Sequence, residues 1–354
     1  MVAATASGHW PHDALEAVDR CPVCGGGRRA VLYRDLEDRV SFCAPGRWTL
    51  YRCGRCYSGY LNPRPTCETI GRAYAGYHTH GAPPEPAGAD GMIGRLRRMV
   101  RNGYLNARYH VDLKPAPGFG GPVLALLPWL RHDRAVRHLP LPERGARLLD
   151  VGCGNGTFVR HALALGWDAE GLDPDPDAVA AGGGPGARVT TGSLPQTRYP
   201  DGAFAAVTLD HTIEHLHAPI DALREVFRLL RPGGSIWIAT PNLDSTGHKL
   251  FARNWRGLEP PRHLVLFTAT ALRAALAETG YEQIEQRRSP FVSRWWFTAS
   301  QRIAAGEDPL AEQGLPLPLR SRLRARLADW RGFAAPARSE EIIFTAHRPL
   351  SRRA

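Results

Sequence analysis

Residues 148–156 read Leu-Leu-Asp-Val-Gly-Cys-Gly-Asn-Gly, an apolar strand that runs directly into a glycine-rich turn. Its three glycines carry no side chain, so the backbone of the turn can approach a ligand closely. Asp150 precedes the turn, and Asp173 ends the next predicted strand 21 residues after Gly152, the spacing at which a carboxylate meets ribose hydroxyls. The turn therefore predicts a nucleotide-like ligand, although a glycine pattern alone also suits a dinucleotide-binding fold.

Strands and helices alternate from residue 146 onward. The predicted strands are Arg147–Val151, Ala169–Leu172, Phe204–Leu209, Ser235–Ala239, Tyr281–Glu285 and Glu341–His347. The predicted helices are Thr157–Leu165, Asp175–Ala181, Pro219–Leu230 and Thr268–Thr279. Such alternation predicts an α/β fold, with a mostly parallel sheet and helices on both of its faces.

The glycine turn resembles motif I of class I S-adenosylmethionine-dependent methyltransferases, whose usual form is hh(D/E)xGxGxG. Four further segments match that family in order, namely Asp173, Gly192–Leu194, Leu209–His215 and Leu230–Gly234. The resemblance implies a Rossmann-like seven-stranded sheet that binds S-adenosylmethionine as methyl donor. By the same resemblance, the donor site comprises Asp150, Gly152, Gly154, Asn155, Gly156, Asp173, Ser193, Leu194 and Asp210.

Six of the seven cysteines lie before residue 68, and four of them form two Cys-x-x-Cys pairs. The paired residues are Cys21, Cys24, Cys53 and Cys56. In a reducing compartment such pairs indicate metal ligation rather than disulfides. Four thiolates suit tetrahedral Zn²⁺ with no open coordination position, so the spacing predicts a small N-terminal ribbon with a structural zinc ion.

The sequence after this ribbon narrows the family resemblance. Residues 52–65 and 74–78 are similar to a bacterial group of methyltransferases with an N-terminal Cys-x-x-Cys ribbon, and residues 240–245 and 255–267 extend the similarity. That group is often linked to polysaccharide, lipid or secondary-metabolite synthesis. The resemblance implies O-methylation of a sugar, glycolipid or small metabolite. A ribosomal RNA methyltransferase with a similar ribbon and a non-catalytic binding module are the alternatives.

The stretch Trp255–Phe267 follows the predicted fifth strand, at the sheet edge where α/β proteins bind ligands. His263 is the candidate general base for an acceptor hydroxyl, because an imidazole titrates near neutral pH. The alternative is a histidine that caps a helix or lies in the core. Trp255 and Arg262 are candidate substrate-binding residues, and the alternative for Arg262 is an ion pair with an acid.

His215 is the second candidate catalytic residue. The pair Glu214-His215 is similar to a segment of quinone-precursor O-methyltransferases that holds a divalent ion. His211 stands where those enzymes have their first glutamate, which disfavours a metal ion here. We therefore expect His215 to line the substrate side of the methyl donor, and the alternative is a histidine that packs structurally.

The distribution of charged residues along the chain indicates which class of acceptor the predicted core can bind. The net charge is +11, yet residues 141–288 contain 15 Lys+Arg against 17 Asp+Glu, so the predicted catalytic core is not basic. This balance predicts an acceptor other than nucleic acid. Of the 45 cations only Lys114 and Lys249 are lysine, which suits an arginine-biased composition.

The predicted organisation has three parts: a ribbon module over 1–80, a linker and helical segment over 81–140, and the methyltransferase domain over 141–350 with a helical insert at about 289–338. Aromatic residues at 291–297 and arginines at 319–330 suit an insert that contacts a membrane surface, or a lid helix over the pocket. The longest apolar run, Pro122–Leu130, is too short to span a bilayer, and Met1–Arg20 lacks a secretory pattern, so a cytoplasmic location is expected. The sequence does not specify an oligomeric state.

Overall fold

A computed structural model describes residues 8–74, 92–116, 134–182, 186–289, 292–311 and 318–350. The predicted linker at 81–90, the apolar run at 122–130 and residues 75–78 lie outside the described residues.

The described elements alternate as expected from residue 147 onward. The strands are β1 (Leu15–Glu16), β2 (Arg29–Leu36), β3 (Trp48–Cys53), β4 (Gly59–Leu61), β5 (Arg64–Pro65), β6 (Arg147–Val151), β7 (Asp168–Asp173), β8 (Arg188–Thr191), β9 (Phe204–Asp210), β10 (Leu230–Pro241), β11 (Val265–Leu266), β12 (Glu282–Arg287) and β13 (Glu341–His347). The α-helices are α1 (Met92–Tyr109), α2 (Thr157–Ala164), α3 (Pro176–Ala181), α4 (Pro219–Leu229), α5 (Thr246–Phe251), α6 (Ala269–Thr279), α7 (Ser293–Ala305) and α8 (Leu319–Ala334).

Seven strands form one sheet in the order β12-β13-β10-β9-β6-β7-β8. β6 pairs in parallel with β7 and β9, and β7 pairs in parallel with β8. Because parallel strands end at the same sheet edge, the residues that follow β6 and β7 lie close together. The sheet confirms the predicted Rossmann-like architecture.

Two strands differ from the sequence prediction. β8 was not predicted, since Arg188–Thr191 is short and three of its four residues are exposed. β10 begins at Leu230 rather than at Ser235, because the Pro-Gly-Gly segment is part of the strand. Gly233 adopts φ 76° and its N–H donates to the Arg348 carbonyl at 2.9 Å, so the glycine lets the chain pair in a conformation that other residues rarely adopt.

The chain forms two compact units, each with its own apolar core. The first unit comprises Met1–Tyr77, His211–Phe227 and Ile238–Ala346, and the second comprises His78–Asp210, Arg228–Trp237 and His347–Ala354. In the first unit, Trp48 and Leu61 of the N-terminal module share a core with Trp255, Leu266 and residues of α7 and α8. The N-terminal module therefore folds together with segments that follow it by about two hundred residues.

A four-stranded sheet joins the N-terminal module to one of these later segments. Its order is β11-β4-β3-β2, so the short strand after His263 is an edge strand of the N-terminal module. Val265 pairs with Tyr60, and Leu266 pairs with Gly59. The pairing fixes the backbone of the 255–267 stretch against the ribbon.

The region of the predicted insert contains α7 and α8. α7 packs on the stretch that carries His263, since Trp296 stacks on Trp255 and Ser300 Oγ accepts a hydrogen bond from Arg256 N at 3.0 Å. Among the described residues, no helix combines the length and apolar character needed to cross a membrane.

Candidate functional site

The glycine turn after β6 lies in the second unit. Gly152, Gly154 and Gly156 have φ angles of 70°, 52° and 69°, a left-handed conformation that favours glycine. A Cβ atom added at Gly154 would meet no atom within 4 Å, whereas one at Gly156 would lie 2.9 Å from Val189 Cγ2. The space above Gly154 is therefore open, as the approach of a ligand to the backbone requires.

Asp173 connects the end of β7 to this turn. Its Oδ2 accepts a hydrogen bond from Gly154 N at 2.7 Å, and its Oδ1 accepts one from Asp175 N at 3.0 Å. The bonds hold the carboxylate beside the open space. A carboxylate held in this way can still accept hydrogen bonds from two adjacent hydroxyls, such as those of a ribose.

Asp150 is fully buried beneath the turn. Its Oδ1 pairs with Arg137 and accepts a hydrogen bond from Thr208 Oγ1 at 3.0 Å, while its Oδ2 has no partner among the described residues. Burial raises the pKa of Asp150, and the Arg137 guanidinium opposes that rise. An unpaired buried carboxylate oxygen is costly, which fits a polar group that completes its hydrogen bonds only when a ligand is bound.

Two arginines that the sequence did not point to lie beside the predicted donor residues. Arg134 forms a bidentate pair with Asp210, at 2.7 and 3.0 Å, and Arg137 pairs with Asp150. They precede β6 in a segment without a recognisable pattern, so only the fold brings them to the site. Together they place two cations at the ends of β6 and β9.

The remaining predicted donor residues lie around the same turn. Asn155 Oδ1 accepts a hydrogen bond from Thr157 Oγ1 at 2.7 Å at the start of α2. Gly192 N donates to the Asp173 carbonyl at 2.9 Å, which positions the half-buried Ser193 and the buried Leu194 directly after it. The second unit thus brings together the two loops that the sequence assigned to the donor.

His215 and His263 come together in the first unit. Their ring centroids are 4.8 Å apart, with an angle of 71° between the ring planes. His263 Nδ1 lies 2.8 Å from the Gly257 carbonyl, and His215 Nδ1 lies 3.0 Å from the Arg262 carbonyl. Because a carbonyl oxygen only accepts, both rings carry their proton on Nδ1, and Nε2 is the nitrogen that can take up a proton.

Glu259 is the charged neighbour of His263. Its buried carboxylate lies 3.5 Å from His263 Nε2 and pairs with Arg256 and Arg262. Burial opposes ionisation of Glu259, yet the adjacent arginines keep its pKa well below its usual range. Burial lowers the pKa of His263 to about 4 despite this carboxylate, so the imidazole is neutral at physiological pH.

Trp255 and Arg262, the predicted substrate residues, are both buried. Trp255 Nε1 donates to Glu340 Oε2 at 3.1 Å. The Arg262 guanidinium pairs with Asp38 and Glu259 and donates to the Ala73 carbonyl at 2.8 Å. Of the two interpretations of Arg262, the structure shows the ion pair with acids.

Tyr74 and Glu214 are polar neighbours that the sequence analysis did not assign to the acceptor site. Tyr74 Oη lies 2.9 Å from His215 Nδ1. Glu214 is fully buried, accepts a hydrogen bond from Thr240 Oγ1 at 2.9 Å and lies 3.2 Å from His211 Nδ1. Burial disfavours its charged form, but His211 holds the pKa of Glu214 below its usual range. The potential ligand atoms of Glu214, His215 and His263 lie within 4.8 Å of one another.

The four paired cysteines form a separate cluster in the first unit. All four Sγ atoms lie within 4.8 Å of one another, with 3.6 Å between Cys21 and Cys56 and 3.5 Å between Cys24 and Cys53. Burial raises the pKa of Cys24 to about 11, whereas a hydrogen bond with Cys21 lowers the pKa of Cys56 to about 5. Tetrahedral zinc–thiolate bonds of about 2.3 Å place sulfur atoms roughly 3.8 Å apart, so the cluster has the right size for such an ion.

Comparisons with known proteins find methyltransferases among those similar to this chain. Residues 130–286 match a family model described as a methyltransferase domain. Ubiquinone biosynthesis O-methyltransferase from Xanthomonas campestris is 33% identical over 36% of this chain and 55% of that protein. The 27-O-demethylrifamycin SV methyltransferase of Amycolatopsis mediterranei is 25% identical over 61% of this chain and 82% of that protein.

Among solved structures, phosphoethanolamine N-methyltransferase 2 of Haemonchus contortus is 16% identical, with a TM-score of 0.44 over 82% of this chain and 63% of that chain. The chain spans about half the length of the first of these curated relatives. The glycine turn, Asp173 and the matched family model all fall in one region of the sequence. Residues 130–286 therefore resemble a methyltransferase domain, and this region contains both the glycine turn and Asp173.

Proposed function

We propose that the chain transfers the methyl group of S-adenosylmethionine to a hydroxyl of a small molecule, sugar or glycolipid. The observation that carries this proposal is the link between Gly154 N and Asp173 Oδ2, which places an acid beside an open glycine turn. The unpaired Oδ2 of Asp150 gives independent support for a polar ligand at this turn. O-methylation is favoured because both curated relatives carry O-methyl transfer in their names.

The donor would be held by the residues of the second unit. The ribose hydroxyls would donate to Asp173, and the adenine would lie against Ser193 and Leu194. The donor's amino-acid carboxylate suits the cationic pair Arg134 and Arg137, since guanidinium groups bind carboxylates with charge-assisted hydrogen bonds. When bound, the donor supplies an electrophilic methyl group on a sulfonium ion.

The chain's own contribution to the chemistry is alignment and proton removal. An acceptor hydroxyl is a weak nucleophile while it keeps its proton. His263 Nε2 would take that proton as the oxygen–carbon bond forms, and the ionised Glu259 carboxylate 3.5 Å away would stabilise the resulting imidazolium. Tyr74 and the Arg262 carbonyl would hold the ring of His215 in place.

Nucleic acid remains the alternative acceptor class, and we do not favour it. An RNA acceptor would give binding that weakens steeply with salt, because phosphate contacts release counterions. Transfer of labelled methyl groups to RNA, together with a steep salt dependence, would replace the present proposal.

Substitutions in the glycine turn test the donor site. We expect Gly154→Val to abolish binding of S-adenosylhomocysteine and Asp173→Ala to weaken it about 10- to 100-fold, since each charge-assisted hydrogen bond contributes about 1.5–3 kcal/mol. Isothermal titration calorimetry measures both affinities. Gly145→Val is the matched control. Gly145 also has a left-handed φ of 72° and open space around its added Cβ, but it precedes β6 and is not one of the predicted donor residues. Equal losses in both glycine variants would mean that backbone strain, not ligand contact, is responsible.

We further propose that Cys21, Cys24, Cys53 and Cys56 hold one structural zinc ion. Protein purified without added metal should contain about one equivalent of zinc by elemental analysis. Cys24→Ser should lower this content strongly, whereas Cys67→Ser should not, because Cys67 is outside the cluster. Folded protein with less than a tenth of an equivalent would contradict the proposal. If the wild-type protein contains a second equivalent of metal that His215→Ala lacks, that second ion binds at Glu214, His215 and His263.

A further inference from the structure

Helix α8 has a buried face of small residues and, opposite to it, an exposed face of large apolar residues. The buried face consists of the small residues Ser321, Ala325, Ala328 and Gly332, which lets the helix pack closely within its unit. The opposite face exposes Leu319, Leu323, Leu327 and Trp330, whose exposed fractions are 71%, 56%, 51% and 60%. Spacings of four, four and three residues align these side chains along one stripe of the helix.

Arginines flank this apolar stripe on both sides. At about 100° per residue, Arg320, Arg324 and Arg331 fall on one flank, and Arg322 and Arg326 fall on the other. The only acid of the helix is Asp329, so five arginines and one aspartate give α8 a net charge of +4. Asp329 accepts a hydrogen bond from Ser293 N at 2.9 Å, which ties its charge to the start of α7.

The adjacent helix extends the same surface. Trp295 of α7 is 51% exposed. A cleft of about 460 Å³ is lined by Arg294 of α7 and by Arg322, Arg326 and Trp330 of α8, together with Ala325 and Asp329. Three guanidinium groups around one cleft favour an anionic group such as a phosphate, which arginine binds with directional hydrogen bonds.

We propose that α8 lies in the surface of an anionic phospholipid bilayer, with its leucine stripe in the acyl boundary and a headgroup phosphate in the arginine cleft. An apolar stripe that contains leucine and tryptophan and is bordered by arginines on both flanks is typical of interfacial helices. A bilayer presents apolar chains beneath a continuous layer of negative charge, so it complements the stripe and both flanks together. The proposal goes beyond methyl transfer and does not depend on it.

Flotation of the full-length chain with vesicles tests this surface. We expect binding to vesicles of phosphatidylcholine mixed with phosphatidylglycerol and little binding to pure phosphatidylcholine. Leu323→Gln with Leu327→Gln should weaken binding about tenfold or more, since two apolar side chains no longer leave water. Arg322→Gln with Arg326→Gln, which removes two arginines of the cleft, should weaken it roughly 25-fold at low salt, about fivefold for each charge. Glutamine preserves helix propensity, so the fold should survive.

Matched substitutions outside α8 test whether vesicle binding depends on this helix or only on the number of exposed charged and apolar side chains. Leu141→Gln with Leu250→Gln removes two exposed leucines outside α8, and Arg144→Gln with Arg198→Gln removes two exposed arginines. Unchanged binding in these controls supports the proposal, and equal losses overturn it. Absence of binding to anionic vesicles also overturns it. A dimer that dissociates in the leucine variant, without any lipid binding, would assign the stripe to a second copy of the chain.

Discussion

Replacing Asp38 by alanine is expected to lower the free energy of unfolding by about 3–5 kcal/mol, because it leaves a buried cation incompletely paired. Asp38 is 2% exposed and pairs with the fully buried Arg262. Its two oxygens also accept hydrogen bonds from the backbone N–H groups of Val40, Ser41, Cys43 and Ala44, at 3.1–3.2 Å. The substitution therefore removes both a charge partner and the acceptor for four loop amides.

Urea denaturation of Asp38→Ala, and of a variant at the adjacent acid Glu37, measures this effect. Glu37→Ala is the matched control, because Glu37 forms a half-exposed pair with Arg47 at 3.6 Å, and such surface pairs contribute about 0–1 kcal/mol. We expect a large loss for Asp38→Ala and little change for Glu37→Ala. Losses below about 1 kcal/mol in both variants would contradict this expectation, because they would show that removing Asp38 leaves no costly buried charge on Arg262.

The same cluster makes stability depend on pH. Burial opposes ionisation of Asp38, but Arg262 holds its pKa below the usual range, and the pKa of Glu259 is lowered likewise. Acids with lowered pKa values stabilise the fold above their unfolded-state pKa, near 4, and this contribution is lost as the pH falls further. Burial lowers the pKa of His263 to about 4, so stability should already begin to decline below about pH 6.5, where the unfolded histidine takes up a proton.

The local sequence was sufficient to predict the glycine turn after β6 and the acid that lies beside it, while their role in binding the donor stays a prediction. The turn from Gly152 to Gly156 and the acid Asp173 lie at the ends of two consecutive strands, and the turn has a backbone requirement that favours glycine. Hydrophobic patterning located six of the seven strands of the sheet but not β8, which is short and mostly exposed. By contrast, the arginines at 134 and 137 reach the site only through tertiary structure, and no periodicity or spacing marks them.

The acceptor half could be predicted only in part. The strand pairing of Val265 with Tyr60 joins segments about two hundred residues apart, and neither segment carries a local signal for the other. The sequence shows that Arg262 is a cation but not that Asp38 faces it in the core, so an ion pair and a substrate contact could not be separated in advance. His263 and His215 were predicted as candidates, and their proximity in the fold is consistent with a shared role that remains a prediction.

Replacing His263 by alanine is expected to lower kcat by about 10²–10⁴-fold, because positioned proton transfer typically contributes that factor. Binding of S-adenosylhomocysteine should change little, since the predicted donor contacts all come from the other compact unit. The measurement is transfer of a labelled methyl group to any hydroxyl acceptor that the wild-type protein methylates, expressed per folded molecule. His248→Ala is the matched control: His248 is also buried in the same unit, burial also lowers its pKa, and its Nδ1 also faces a backbone carbonyl, that of Leu243. It should cost stability without reducing turnover per folded molecule.

The pH profile distinguishes a base from a structural histidine. With a pKa near 4, His263 remains unprotonated between pH 5 and 7, so kcat should stay flat over that range if His263 is the base. Loss of turnover in His215→Ala, with full turnover retained in His263→Ala, would assign the base to His215 instead. Full turnover in both variants would mean that alignment of the acceptor suffices, as it does where binding alone brings the reacting atoms together. The two rings lie only 4.8 Å apart, so one imidazole could substitute for the other when one is removed. The double variant His215→Ala with His263→Ala measures this substitution. If its loss of kcat is no greater than that of His263→Ala alone, His263 is the sole base.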